Sequence, residues 1–177
     1  MEKKKIEFPQ YATEMLEVLK EGRVLLVAEG KDKVPNPMTI AWGSIMFAWN
    51  KPIFVAMVRP SRYTYKLMEE SDTFTVNFFS KEYADAMKFC GSKSGREYDK
   101  WKETNLTPTK AKKVETSIIE EAFLNIECKT VYKDVMDLEF LEKSIVQQKY
   151  DTDKVPENTP HKFYFGEIVD MYGDLPL

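Results

Sequence analysis

Residues 36–77 read NPMTIAWGSIMFAWNKPIFVAMVRPSRYTYKLMEESDTFTVN, and the order of elements in this stretch decides the fold. Met38 to Trp49 is rich in aromatic, β-branched and small residues and reads as one long strand. Gly43 in its middle marks a bulge or a point where something approaches the backbone closely. Asn50-Lys51-Pro52 turns the chain, and Ile53 to Val58 returns as the antiparallel partner. Arg59-Pro60-Ser61-Arg62-Tyr63-Thr64 then enters a helix over 61–71, with Tyr65, Leu67 and Met68 facing inward. A helix start offers unpaired N–H groups and the positive end of the helix dipole, so guanidinium and hydroxyl groups gathered there make a seat for phosphate. Thr73 to Phe79 alternates as a strand, with Phe74, Val76 and Phe78 on one face and Thr75, Asn77 and Phe79 on the other. Asn77 is polar in an apolar run, so it either bonds a neighbouring loop or faces a ligand.

Outward from this unit, residues 11–21 suit an amphipathic helix with Met15, Leu16, Val18 and Leu19 on one face. Arg23 to Glu29 is a buried strand, and Gly30 to Pro37 is a loop. On the other side, Lys81 to Phe89 is a short helix closed by Cys90-Gly91. Ser92-Lys93-Ser94-Gly95 then has the small residues of an anion-holding turn, and Arg96 to Glu103 looks helical. After a loop over 104–113, Ser117 to Val135 reads as two strand segments. Leu138 to Tyr150 is ambiguous between strand and helix, Asp151 to Pro160 is exposed loop, and Lys162 to Tyr172 is the last strand. Short strands with interspersed helices, lacking a βαβ rhythm, predict a mainly β chain with added helices: a small antiparallel barrel in one domain over 1–177.

Composition narrows the function. Acidic residues exceed basic ones by 29 to 26, which argues against nucleic acid as a partner. No apolar run reaches the roughly 20 residues of a membrane helix, and the expectation is a soluble, cytoplasmic protein that does not meet a membrane. Cys90 and Cys128 form no C-x-x-C pair and His161 is the single histidine, so no metal site is expected.

Four segments in this order and spacing resemble one family: NPMTIAW at 36–42, RPSRYTY at 59–65, FTVNFF at 74–79 and CGSKSGREYDKW at 90–101. The chain resembles the flavin reductase-like, FMN-binding split-barrel proteins, and among them the flavoredoxin type. The resemblance implies a six-stranded Greek-key split β-barrel and a homodimer with FMN near its interface. It also implies that Arg59, Ser61, Tyr63 and Thr64 hold the phosphate, and that Met38, Thr39, Ala41 and Trp42 run beside the flavin ring. Asn77 and Phe78 are expected to contribute from the neighbouring strand, Ser94, Gly95 and Lys100 to close the site, and His161 to act near the flavin or nicotinamide as the catalytic candidate. Two segments depart from the family pattern: Lys33-Val34-Pro35 stands where many relatives have a glycine, and 134–160 contains no glycine.

Each residue also has a plainer reading. Arg59 and Arg62 suit surface ion pairs at a helix start, Thr39 and Trp42 an ordinary strand, Ser94 a turn, His161 a surface hydrogen bond, and Cys90 a small buried side chain. Three functions follow from the resemblance. The first is an FMN-dependent reductase taking hydride from NADH or NADPH, which would lie on the flavin groove because no G-x-G-x-x-G run exists. The second is an electron carrier whose fixed FMN is reduced by a redox protein partner, and the third is a non-catalytic FMN-binding dimer.

Overall fold

The computed structural model describes residues 3–152 and 158–174. In chain order the elements are β1 (Lys4–Lys5), α1 (Ala12–Lys20), β2 (Val24–Glu29), β3 (Pro35–Ile40), β4 (Gly43–Ala48), β5 (Lys51–Val58), α2 (Tyr63–Glu70) and β6 (Thr73–Phe78). There follow α3 (Ala84–Ser92), α4 (Lys100–Thr104), β7 (Pro108–Thr109), β8 (Ile118–Ile119), β9 (Leu124–Val135), α5 (Lys143–Lys149) and β10 (Lys162–Gly173).

One antiparallel sheet of eight strands runs in the order β3-β2-β6-β9-β10-β5-β4, with β1 paired to the far end of β10. Among the described residues this sheet therefore has eight strands, where six were expected, with β7 and β8 paired separately, and it curls without closing. Its two ends, β3 and β4, are consecutive in the chain and are not paired with each other. The run read as one strand from Met38 to Trp49 breaks at Ala41-Trp42, where the chain crosses the split. An added Cβ on Gly43 would lie 2.7 Å from the Val55 carbonyl oxygen, so the close approach inferred from that glycine is to β5.

The β4–β5 turn falls at Trp49 and Asn50, both left-handed at φ 53° and 58°, which is the backbone of a tight hairpin turn. Pro52, read as part of the turn, instead lies in β5 opposite Phe47. At the other end of the sheet, Pro35 and Pro37 lie in β3, where a loop was expected. An edge strand has one row of N–H groups unpaired, so it tolerates proline.

Two cores share the central strands. Val24, Leu26 and Ala28 of β2 join Phe74, Val76 and Phe78 of β6 in the barrel interior. Leu25 and Val27 face the other way, into a second core with Phe79 and with Ala86, Met87 and Cys90 of α3. A strand covered on both faces has no polar side, which explains the unbroken apolar run of β2. In α1, Met15, Val18 and Leu19 are buried while Leu16 is 44% exposed, so the buried stripe is narrower than expected.

The segment 138–150, left between strand and helix by its sequence, contains α5. β9 ends at Val135, and Glu142 caps the helix by accepting from the Ser144 N–H. The expected exposed loop at 151–160 lies in part outside the described residues.

Asn77 illustrates how the interior is satisfied. Its amide donates to the Leu25 carbonyl (3.1 Å) and Thr75 Oγ1 (3.0 Å), and its oxygen accepts from the Ile119 N–H (3.0 Å) and Asn125 Nδ2 (2.8 Å). All of these groups are buried, and truncation would leave several orphaned. Asn77→Ala is expected to lower stability by about 1–3 kcal/mol. Urea unfolding checks this, and a change under about 0.5 kcal/mol would show the network to be dispensable.

Candidate functional site

The split between β3 and β4 opens onto a cavity of about 180 Å³. The β3–β4 corner supplies Met38, Thr39, Ala41 and Trp42, the end of β5 supplies Met57 and Arg59, and His161 stands just before β10. These residues lie far apart in sequence, and the strand order brings them together. Thr39 is itself positioned from behind, its Oγ1 donating to the Met87 carbonyl of α3 at 2.5 Å.

Next to this cavity lies a second, of about 120 Å³, at the start of α2 and the end of α3. Met38 and Arg62 line both, so the two form one groove. The second cavity gathers Ser61, Tyr63 and Thr64 with Ser94, Gly95 and Lys100, six of the residues that the resemblance implied for the site. Among the described residues it is lined by four cations, Arg62, Lys93, Arg96 and Lys100, and by no carboxylate. In a chain of formal charge −3, this is a local reversal of sign. Gly95 is required by space, since a Cβ there would strike the Asn36 side chain, whose amide donates to Thr64 Oγ1 at 2.9 Å.

Lys100 is 4% exposed, and its ammonium donates to the carbonyl oxygens of Pro37 (2.8 Å) and Cys90 (2.9 Å). It thereby ties β3 to α3 behind the cavity. An ammonium has three N–H donors, so one remains for a ligand. Burial pulls its pKa down to about 8, opposed by Cys90 and reinforced by Arg62. The Cys90 thiol is raised to about 11 by burial, so it is an unionised, inert side chain at neutral pH.

Three expectations change. Asn77 and Phe78 do not line the groove: β6 is an interior strand covered on both faces, and the two side chains point into the second core and the barrel interior. Arg59 faces the first cavity, not the second. Its guanidinium donates to the carbonyl oxygens of Lys149 (2.9 Å) and Thr159 (3.3 Å) and to Asn158 Oδ1 (3.2 Å), and stacks over the Tyr150 ring at 5.0 Å. It thus holds the end of α5 against the mouth of the groove. Arg62, which the sequence left balanced between a surface ion pair and the site, lines both cavities. Arg96 and Asn36 were not singled out either, because only the fold carries their loops to α2.

His161 is buried at the first cavity, 5.3 Å from Trp42 between ring centroids. Its Nδ1 is 2.8 Å from the Tyr150 hydroxyl. Desolvation, reinforced by Arg59 and Arg62, lowers its pKa to about 4. It is therefore a neutral, hydrogen-bonding imidazole at physiological pH.

A curled, incompletely closed antiparallel barrel with this groove at its split has the architecture of the split-barrel flavin-binding proteins. The chain belongs to the flavin reductase like domain family, whose model matches residues 18–175. It is 32% identical over 117 residues to an uncharacterized protein of Archaeoglobus fulgidus, covering 66% of this chain and 65% of that one. The chain spans from about half to two thirds of the length of the curated relatives it matches. Among solved structures, flavoredoxin from Methanosarcina acetivorans superposes with a TM-score of 0.63 at 26% identity, over 85% of this chain and 67% of that one. Flavoredoxin of Desulfovibrio vulgaris (Miyazaki F) gives 0.66 at 24%, over 85% and 68%.

Because His161 is the single histidine, its imidazole proton resonance is assigned by inspection. The expected NMR titration midpoint is about 4. The unfolded chain, near 6.5, binds the proton more readily than the native one, so this group's contribution to stability is complete above pH 6.5 and falls as pH drops toward 4. A midpoint near 6.5 would show that the imidazole is not sequestered.

Proposed function

We propose that this protein is an FMN-dependent oxidoreductase, an NAD(P)H:flavin or ferric reductase in which hydride passes from the nicotinamide to bound FMN. The observation that carries this reading is the two-part groove. One part is bounded by Met38, Thr39, Ala41 and Trp42, and the other holds, among the described residues, four cations and no carboxylate. FMN has a flat ring, a polar ribityl chain and a doubly charged phosphate, and the groove offers matching surfaces in that order. The donors at the start of α2, Arg62 and the buried Lys100 suit the phosphate. Trp42, 40% exposed at the mouth, leaves the ring cavity open to a nicotinamide. His161, neutral and hydrogen-bonded to Tyr150, suits orientation of a polar group beside the ring more than donation of an ionised proton.

Bound FMN would supply the two-electron redox chemistry, and the protein binds, orients and tunes it. The second reading, a carrier reduced by a redox protein partner, is favoured by the 26% identity to a flavoredoxin. An anaerobic visible spectrum before and after NADH, then NADPH, separates the two. Prompt bleaching of the flavin bands supports the reductase and names the donor, whereas bands that persist until dithionite is added support the carrier. Absence of bands after incubation with FMN would refute the flavin assignment.

A homodimer is part of this proposal. Trp49, Tyr132, Phe163 and Phe165 form a linked aromatic cluster on the outer face of the sheet, with Trp49 59% and Tyr132 46% exposed. A second copy covering that face would remove it from water. The two buried free thiols, Cys90 and Cys128, fit a reducing compartment such as the cytoplasm.

Arg62→Ala is expected to weaken FMN binding by roughly 10- to 150-fold, the loss of a charge-assisted phosphate contact. Arg59→Ala should have the smaller effect, since its N–H groups already serve carbonyls of the chain. Fluorescence titration with FMN reads both, and the opposite ranking would return the phosphate role to Arg59. Affinity should also fall as pH rises above about 8, where Lys100 loses its proton and the seat one positive charge. A flat profile from pH 7 to about 9.5 would show that Lys100 serves structure alone.

A further inference from the structure

His161 is fixed at both its backbone and its ring. Its carbonyl oxygen accepts from the Met136 N–H at 2.9 Å, which continues the β9–β10 pairing by one step, and its Nδ1 lies 2.8 Å from the Tyr150 hydroxyl. The two rings meet edge to face, with centroids 5.6 Å apart and planes at 89°. Tyr150 is 4% exposed and does not line the ring cavity, so it reaches that cavity only through the imidazole.

The chain invests a helix in placing this ring. α5 buries none of its own side chains, and Tyr150, which ends it, is the buried ring that the helix delivers. The Tyr150 N–H closes the last turn on the Val146 carbonyl at 2.8 Å. Arg59 clamps the same corner from the other wall, its guanidinium over the Tyr150 ring and on the Lys149 carbonyl.

Hydrogen-bond satisfaction then fixes the tautomer. A neutral imidazole has one N–H and one bare nitrogen, and the partner of one nitrogen sets the state of the other. The Tyr150 hydroxyl has one proton and, among the described residues, no acceptor other than Nδ1. Burial raises its pKa, with Arg59 opposing, so the proton stays on the oxygen. An imidazole proton on Nδ1 would turn the hydroxyl proton away into buried surroundings that offer it no acceptor. With the hydroxyl donating to Nδ1 both groups are satisfied, and the imidazole proton sits on Nε2. Nε2 has no partner among the described residues, and among them no carboxylate lines the ring cavity beside His161. Its N–H is left for a ligand.

We propose that Tyr150 is a positioning residue that holds His161 as the Nε2–H tautomer, giving the ring cavity one neutral N–H donor for a carbonyl oxygen on a bound ligand. The tautomer stands on the geometry of the pair, whereas the ligand rests on the reading of this cavity as the flavin-ring site. Two groups bring such an oxygen, the flavin ring itself and the carboxamide of a nicotinamide laid on it. A neutral donor suits either, since it polarises a carbonyl without adding a charge beside Arg59 and Arg62.

Long-range proton–nitrogen correlation on the isotope-labelled full chain tests this, because the single histidine gives one imidazole pattern. At neutral pH a protonated Nε2 and a bare Nδ1, shifted by an accepted hydrogen bond, are expected. Tyr150→Phe should lose that shift and populate the second tautomer. A protonated Nδ1 in the unchanged chain overturns the proposal without any variant. An unaltered pattern in Tyr150→Phe, with only the urea midpoint lowered, also overturns it and leaves the pair as an anchor for α5. FMN and then NAD⁺ are added to the unchanged chain. A shift of the Nε2–H resonance with FMN alone assigns the acceptor to the flavin, and a shift only when NAD⁺ follows assigns it to the carboxamide. Altered flavin bands, showing FMN bound, with the resonance unmoved by either ligand overturn the donor role. No binding of FMN removes the flavin reading and the ligand half of the proposal together, while the tautomer is still decided by the first spectrum.

Discussion

The break in hydrogen bonding between β3 and β4 is the constraint on which the rest of this structure depends. Were the run from Met38 to Trp49 a continuous strand, β3 and β4 would be one element and the sheet would have no cleft there. The chain instead leaves β3 at Ile40, crosses at Ala41-Trp42 and starts again at Gly43, which fits against β5 only because it lacks a Cβ. The two ends of an eight-stranded sheet are thus joined by a covalent corner without ladder hydrogen bonds. Unpaired backbone at a sheet end must be covered or used. Here it becomes the floor of a groove, and the ends of β5 and β10 are drawn up on the opposite side.

The cost of the groove lies in its charge. Bringing Arg62, Lys93, Arg96 and Lys100 together, with no carboxylate among the described lining residues, is unfavourable by mutual repulsion, and burying Lys100 adds a desolvation penalty. Two carbonyl oxygens, from Pro37 and Cys90, partly offset that penalty by accepting from its ammonium. An arrangement held against repulsion in this way favours a bound anion, which relieves it. Arg59 follows a different logic on the other wall. Its hydrogen bonds to Lys149 and Thr159 convert a cation at the groove into a clasp on α5.

Most of the elements were legible in the chain because their signals are local. The alternation of β6 and the apolar run of β2 follow from which faces are covered, and the amphipathic α1 from its helical spacing. Misreadings fell where context overrides local preference. A polar side chain in an apolar strand needs a partner, and for Asn77 the residues left open a neighbouring loop or a ligand while the resemblance implied the ligand; the partners are Leu25, Ile119 and Asn125 of the chain itself. Pro35 and Pro37 looked like a loop because proline ends ladders, yet β3 is an edge strand and loses nothing by them.

The sequence by itself determined the β-rich architecture, the helix start at 61–64 and the small-residue turn at 92–95, since propensity, periodicity and turn chemistry act over a few residues. It also carried a family resemblance specific enough to bring most of the groove residues into view. Tertiary structure decided how those residues are divided. Only the strand order sets Arg59 and His161 beside Trp42 and puts Arg62 between two cavities. Those relations join positions up to a hundred residues or more apart in the chain, and such distances are closed by packing and hydrogen bonding across the whole sheet, which no local pattern encodes.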